Sequence, residues 1–188
     1  MKKTFYIPRG NWPLNFEVYS SFFKRLGYSE SETEGDFLVL PGGADIGMRP
    51  LRDEYEKKVY SEYTVKGRPI IGICRGMQLV LSEGGASMIP HIPDDYFDVK
   101  HTTLSGNWRG QSTWHTTSLG FTTNSRHHQG FCSLPNDWRL LDSTSDGIVE
   151  AVTDGQVFGV QWHPEREEMW NTLAMDWFVS TLKNHLND

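Results

Sequence analysis

Apolar and polar positions fall into two rhythms along this chain. Short, nearly continuous apolar runs are separated by stretches in which apolar residues recur at helical spacing. Thr4-Phe5-Tyr6-Ile7 reads as a first strand, closed by Pro8-Arg9-Gly10. Phe16, Tyr19, Phe22, Phe23 and Leu26 then follow a helical period, and Gly27 supplies a stop. Phe37-Leu38-Val39-Leu40 is a buried-type strand running into Pro41-Gly42-Gly43. A charged amphipathic helix is expected over Asp53 to Val65. After Gly67 come a strand over Pro69 to Ile73 and a helix from Arg75 to about Glu83, ended by Gly84-Gly85.

Strands alternating with helices in this way predict βαβ units. The stretch from Ser87 to Leu134, rich in Thr, Ser, His and Trp, breaks the rhythm and is read as short strands and loops. Beyond it, Gly147 to Val152 and Gln156 to Trp162 flank Asp154-Gly155, a hairpin signal. A last helix is expected from about Trp170 to Asn184, burying Leu173, Trp177, Val179 and Leu182. No repeat, low-complexity segment or linker interrupts residues 1–188, so one domain is expected.

Composition narrows the function. A net charge of −6 argues against a nucleic-acid or anionic-membrane surface. No apolar run approaches the ~18 residues of a spanning helix, and Met-Lys-Lys is followed by no apolar leader, so the cytoplasm is the expected location. Of the 2 cysteines, Cys132 is read as an inert, partly buried thiol, and a disulfide to Cys74 is not expected.

Cys74 carries the chemistry. Gly72-x-Cys74-x-Gly76 lies between an apolar strand and a helix, the pattern of a nucleophile elbow, in which small residues relieve crowding at a sharp turn. A free thiol has a pKa of about 8.5 and needs a base nearby to act at neutral pH. His163, at the end of a later strand, supplies that base, and Glu165 two residues on can orient its ring. Gly43, after another buried strand, can turn its amide into the site. With the amide of Arg75 it would form an oxyanion hole, where one donor is often worth around 3 kcal/mol of barrier.

Leu40-Pro41-Gly42-Gly43-Ala44-Asp45, Gly72-Ile73-Cys74-Arg75-Gly76-Met77-Gln78 and Gly159-Val160-Gln161-Trp162-His163-Pro164-Glu165 resemble the signatures of class I glutamine amidotransferases. Arg52-Asp53, Asn124-Ser125-Arg126-His127-His128-Gln129-Gly130 and Asp146-Gly147-Ile148-Val149-Glu150-Ala151-Val152 are similar to the γ-glutamyl hydrolase branch, typified by γ-glutamyl-γ-aminobutyrate hydrolase. The resemblance implies a flavodoxin-like α/β three-layer sandwich, with a mostly parallel central sheet and a small antiparallel extension. It implies Cys74 as nucleophile, His163 as base, Glu165 as orienter and a γ-glutamyl thioester intermediate. Gln78, Asn124, Ser125, Arg126, His127 and Gln129 would hold the glutamyl group. The segment from Ile89 to Trp114 departs from the family pattern except at His101.

Three readings remain at this stage. One is a free-standing hydrolase that releases glutamate and an amine from a small γ-glutamyl conjugate. Another is a glutaminase subunit feeding ammonia to a separate synthetase, and the third is an inactive binding module. Homo-oligomerisation is left open. No cofactor is expected, and no metal either, because His91, His101 and His115 lack ligand-like spacing and adjacent His127 and His128 would point apart. Trp108, Trp114, Trp138 and Trp162 are assigned to packing rather than to stacking on a substrate. Asp45 and Arg52-Asp53 are read as loop-bracing residues or substrate ligands.

Overall fold

A computed structural model describes residues 2–92 and 113–188; His101 and Trp108 lie outside the described residues. The order of elements is β1 (Thr4–Tyr6), α1 (Phe16–Arg25), β2 (Ser29–Ser31), β3 (Phe37–Leu40), α2 (Pro50–Val65), β4 (Ile70–Ile73) and α3 (Arg75–Glu83). After these come β5 (Thr113–Thr116), β6 (Thr122–Ser125), β7 (Arg139–Ser143), β8 (Val149–Thr153), β9 (Val157–Val160) and α4 (Leu173–Leu186).

The seven-stranded sheet runs β2-β1-β3-β4-β9-β8-β7. From β2 to β9 the neighbours are parallel, and β8 and β7 continue antiparallel at one edge. A separate antiparallel pair, β5 and β6, makes the smaller sheet. Side chains on the central strands sort by face, as the period of two demands. Phe37 and Val39, Ile71 and Ile73, and Phe158 and Val160 pack with α1 and α4. Leu38 and Leu40, Ile70 and Val157 pack with Val59 and Tyr63 of α2 and Leu79 and Val80 of α3. This is a flavodoxin-like three-layer sandwich. The carboxyl ends of β3, β4 and β9 converge on one edge, where a parallel fold offers its ligand site.

The helical spacing in the first helix is met: Phe16, Tyr19, Phe22 and Phe23 are buried, and Gly27 takes φ +106. Five expectations need correction. Helix α2 begins at Pro50 rather than Asp53, because proline's missing N–H costs nothing in a first turn. Helix α4 begins at Leu173, after a single turn of 3-10 helix over Glu167–Met169. Thr172 fixes that start by accepting from the Met175 N–H, so Leu173 is 72% exposed while Ala174, Met175, Phe178, Leu182 and Leu186 face the core. Cys132 is exposed, not partly buried. Trp162 is buried and Trp138 packs against the core, but Trp114 is 45% exposed. Among the described residues no helix is long and apolar enough to cross a membrane.

Candidate active site

Cys74 joins β4 to α3 with φ 52 and ψ −110, a conformation costly for any residue with a Cβ. The chain turns so tightly there that a Cβ on Gly76 would lie 2.0 Å from the Leu40 carbonyl oxygen. One on Gly72 would lie 2.8 Å from the Met77 nitrogen. The two glycines of the elbow are thus required by contact. The Cys74 N–H is tied to the Val160 carbonyl at 2.8 Å, which sets the end of β4 against β9.

β9 leads through Gln161 and Trp162 to His163. The Nδ1 of His163 shares a 2.7 Å hydrogen bond with Glu165 Oε1, and Cys74 is near enough to act on the charge of the ring. All three side chains are nearly buried. Burial disfavours the imidazolium, but the Glu165 carboxylate, with the Cys74 sulfur beside the ring, outweighs it and pushes His163 up to about 10. Gly42 packs against this pair: a Cβ there would lie 3.0 Å from His163 Cε1 and 3.5 Å from Cys74 Cβ.

A cavity of about 370 Å³ opens over the thiol, lined by Gly43, Cys74, Gln78, Arg126, His127 and Gln129 together with Ala44, Asp45, Met48, His91 and His128. A larger hollow of about 470 Å³ lies beside α1 and the 165–170 segment; it includes Arg126 and Glu165 but not the thiol, so the smaller one fits the chemistry. Of the residues assigned to the glutamyl group, Gln78, Arg126, His127 and Gln129 line the cavity over the thiol. Asn124 and Ser125 do not. Asn124 instead grips the main chain of His163, accepting from its N–H at 2.8 Å and donating to its carbonyl at 3.1 Å. It holds the imidazole in place, a role open to a buried amide with both a donor and an acceptor.

Gln161, Tyr19, His91 and the pairing of His128 with Asp45 had gone unassigned. Gln161 donates to Cys74 Sγ at 3.7 Å, and its Oε1 accepts from Gln78 Nε2 at 3.2 Å. The Tyr19 hydroxyl accepts from the Gly42 N–H at 3.1 Å. Burial, reinforced by Glu165 and Cys74, raises the Tyr19 pKa and keeps the phenol neutral. His128 and Asp45 pair at 2.8 Å on the cavity rim, with His91 3.2 Å from the other ring nitrogen of His128. Gln161 lies two residues before His163, a spacing that hinted at a shared face. Tyr19 was hidden inside the core pattern of α1.

His127 and His128 do point apart, His128 toward Asp45 and His127 toward Glu150. Sequence spacing gave no sign, however, that His115 from β5 would join His127 and Glu150. Ligand-capable atoms of the three lie within 4.8 Å of one another. His115 Nε2 is 3.1 Å from Glu150 Oε2, and His127 Nε2 is 3.6 Å from Glu150 Oε1. Burial resists ionisation of Glu150, but His115 and His127 draw its pKa down to about 2. His115 is raised in turn, its burial overcome by Glu150.

A cysteine on a tight strand-to-helix elbow under an imidazole–carboxylate pair, at the strand ends of a three-layer sandwich, is the arrangement of the glutamine amidotransferase-like α/β proteins. The family model described as Peptidase C26 matches residues 38–165, and the chain belongs to that family. It is 29% identical over 176 residues to the gamma-glutamyl-CDP-amidate hydrolase of Campylobacter jejuni, covering 88% of this chain and 77% of the relative. It is 33% identical over 148 residues to imidazole glycerol phosphate synthase subunit HisH of Streptococcus sanguinis, covering 70% of each. A glutamine amidotransferase structure from Thermotoga maritima superposes with a TM-score of 0.62 at 16% identity, covering 98% of this chain and 83% of that one.

Proposed function

We propose that this chain is a cysteine-dependent hydrolase that cleaves the γ-glutamyl amide bond of a small conjugate to glutamate and an amine. The observation that carries the reading is the buried Cys74–His163–Glu165 constellation beneath a cavity of a few hundred cubic ångströms, about 370 Å³. In this mechanism Cys74 Sγ attacks the γ-carbonyl carbon, and the carbonyl oxygen takes its negative charge against the N–H groups of Gly43 and Arg75. The carbon–nitrogen bond breaks as His163 hands its proton to the leaving amine, leaving a γ-glutamyl thioester on Cys74. His163 then takes a proton from water, whose oxygen displaces the thiolate and releases glutamate. Glu165 holds the ring in one tautomer and supports the imidazolium throughout.

The Campylobacter relative points to nucleotide-linked conjugates as one class to try. Arg126 and the rim histidines His91 and His128 offer cationic or hydrogen-bonding partners for such a group. Likeness to a synthase subunit supports a second reading, a glutaminase that works with a separate synthetase.

Glutamate release decides between them. Purified protein is tested on glutamine and on γ-glutamyl conjugates of amino acids, polyamines and cytidine diphosphate amidate, beside Cys74→Ala. The hydrolase reading expects one conjugate to be turned over far faster than glutamine, with at least a thousandfold loss in the mutant, on the order seen when a catalytic nucleophile is removed. Turnover of glutamine alone, weak until a synthetase is added, would replace it with the second reading. Turnover that survives Cys74→Ala would defeat both.

A further inference from the structure

Helix α2 carries a buried charge cluster that packs under the turns after β3 and β4. Arg52, Asp53 and Glu56 come from α2 and Arg75 from the first turn of α3, all nearly or fully buried. A single carboxylate serves both arginines: Glu56 Oε1 accepts from Arg52 Nε at 2.8 Å, and Glu56 Oε2 accepts from Arg75 Nη1. Asp53 accepts from Arg75 Nη2 and, through its other oxygen, from the Gly47 N–H at 2.7 Å. Arg52 extends its Nη2 to the carbonyl oxygens of Gly42 at 2.9 Å and Pro41 at 3.2 Å.

In a trans peptide the C=O and the following N–H point in opposite directions. Fixing the Gly42 carbonyl on a guanidinium therefore aims the Gly43 N–H the other way, away from Arg52. Gly43 lines the cavity over the thiol and sits at φ +142, and a Cβ there would lie 2.2 Å from Arg52 Nη1. The second amide is fixed alike. The Cys74 carbonyl accepts from the Gln78 N–H at 3.0 Å inside α3, so the Arg75 N–H leaves the open end of that helix. The Arg75 side chain is anchored on the same Glu56.

Four charges inside a protein are a poor way to gain stability, since apolar packing of equal volume does as well or better. What they add is direction, because a guanidinium fork fixes its acceptors in a plane. We propose that Glu56, through Arg52 and Arg75, is a positioning residue that sets the aim and spacing of the two main-chain N–H groups of Gly43 and Arg75. The inference rests on the hydrolase reading for its catalytic meaning and on the cluster's geometry for its structural one.

The test uses the full chain with the exposed Cys132 changed to serine, so that Cys74 is the one thiol. Glu56→Gln lowers kcat on the preferred conjugate by about 100-fold, within the range for loss of one oxyanion-hole donor, and moves KM by less than about threefold. Alkylation of Cys74 by iodoacetamide keeps its wild-type rate, because displacing iodide builds no oxyanion. Arg52→Lys, which retains the charge but not the fork, falls between, and it decides the matter if Glu56→Gln does not fold. Lys57→Ala, a neighbour paired outward with Glu83, leaves kcat unchanged. Equal losses of kcat and alkylation, or no loss of kcat, overturn the proposal. Should the wild-type protein turn over no conjugate, the hydrolase reading fails by itself. Amide hydrogen exchange at Gly43 and Arg75 then decides: acceleration in Glu56→Gln sustains the positioning role, and unchanged exchange defeats it.

Discussion

Glu56 and Glu150 are both fully buried carboxylates with two basic partners, and they brace different parts of the cavity. Glu56 joins α2 to the turns after β3 and β4 through Arg52 and Arg75. Glu150, on β8, gathers His115 of the small sheet and His127 of the loop after β6, the segment that also carries Arg126 and Gln129. Guanidinium partners hold their charge across any working pH, whereas imidazoles do not. One side of the cavity is thus braced independently of pH and the other is sensitive to it. Burial draws Arg52 below its usual value, with Glu56 opposing, but an arginine remains cationic.

The largest effect expected is on folding near pH 5.5. There Glu150→Gln and Glu56→Gln should each cost about 3–5 kcal/mol in denaturant titrations, since each leaves buried basic side chains without their counter-charge. Raising the pH separates them. His115 has a raised pKa in the folded state, so its contribution is complete below the unfolded value of about 6.5 and fades as pH climbs through the folded one. The cost of Glu150→Gln should therefore shrink as the pH rises above about 6.5 while that of Glu56→Gln holds. In acid, Glu150 with its depressed pKa stabilises fully above about 4.5, and that contribution is lost as pH falls toward about 2. Parallel pH profiles for the two variants would abolish the contrast. The smallest effect marks the baseline: Lys57→Ala, which breaks a half-exposed pair with Glu83 at 2.8 Å, should change stability by less than about 1 kcal/mol.

Much of the architecture was legible because burial writes itself into period. Phe37 to Leu40 and Ile70 to Ile73 are apolar on both faces, as strands covered by helices must be. The edge strands β2, Ser29–Ser31, and β7, Arg139–Ser143, left little signal because β2 is wholly polar and half-buried and β7 exposes Leu140 while burying Asp142. The glycines of the elbow and the His-Pro-Glu turn were readable because each solves a local steric or electrostatic problem. Glu150 with His115 and His127 was not, since only the topology unites three distant segments. Glu56 lay in between: it follows Arg52 by four residues, an ordinary helical ion-pair spacing, yet nothing local showed that both would be buried.

The backbone at Cys74 has a practical use for structural work. Its φ of 52 and ψ of −110 fall in a region that glycine enters freely and alanine does not. A Cys74→Ala protein keeps the strain while discarding the sulfur. Cys74→Gly removes both, and it should melt later than the alanine variant by a margin worth about 1 kcal/mol, the relief of the turn less the entropy lost in ordering a glycine. Thermal scans of the two proteins would measure that margin. The glycine form would also be the sturdier trap for soaking in an uncleaved conjugate.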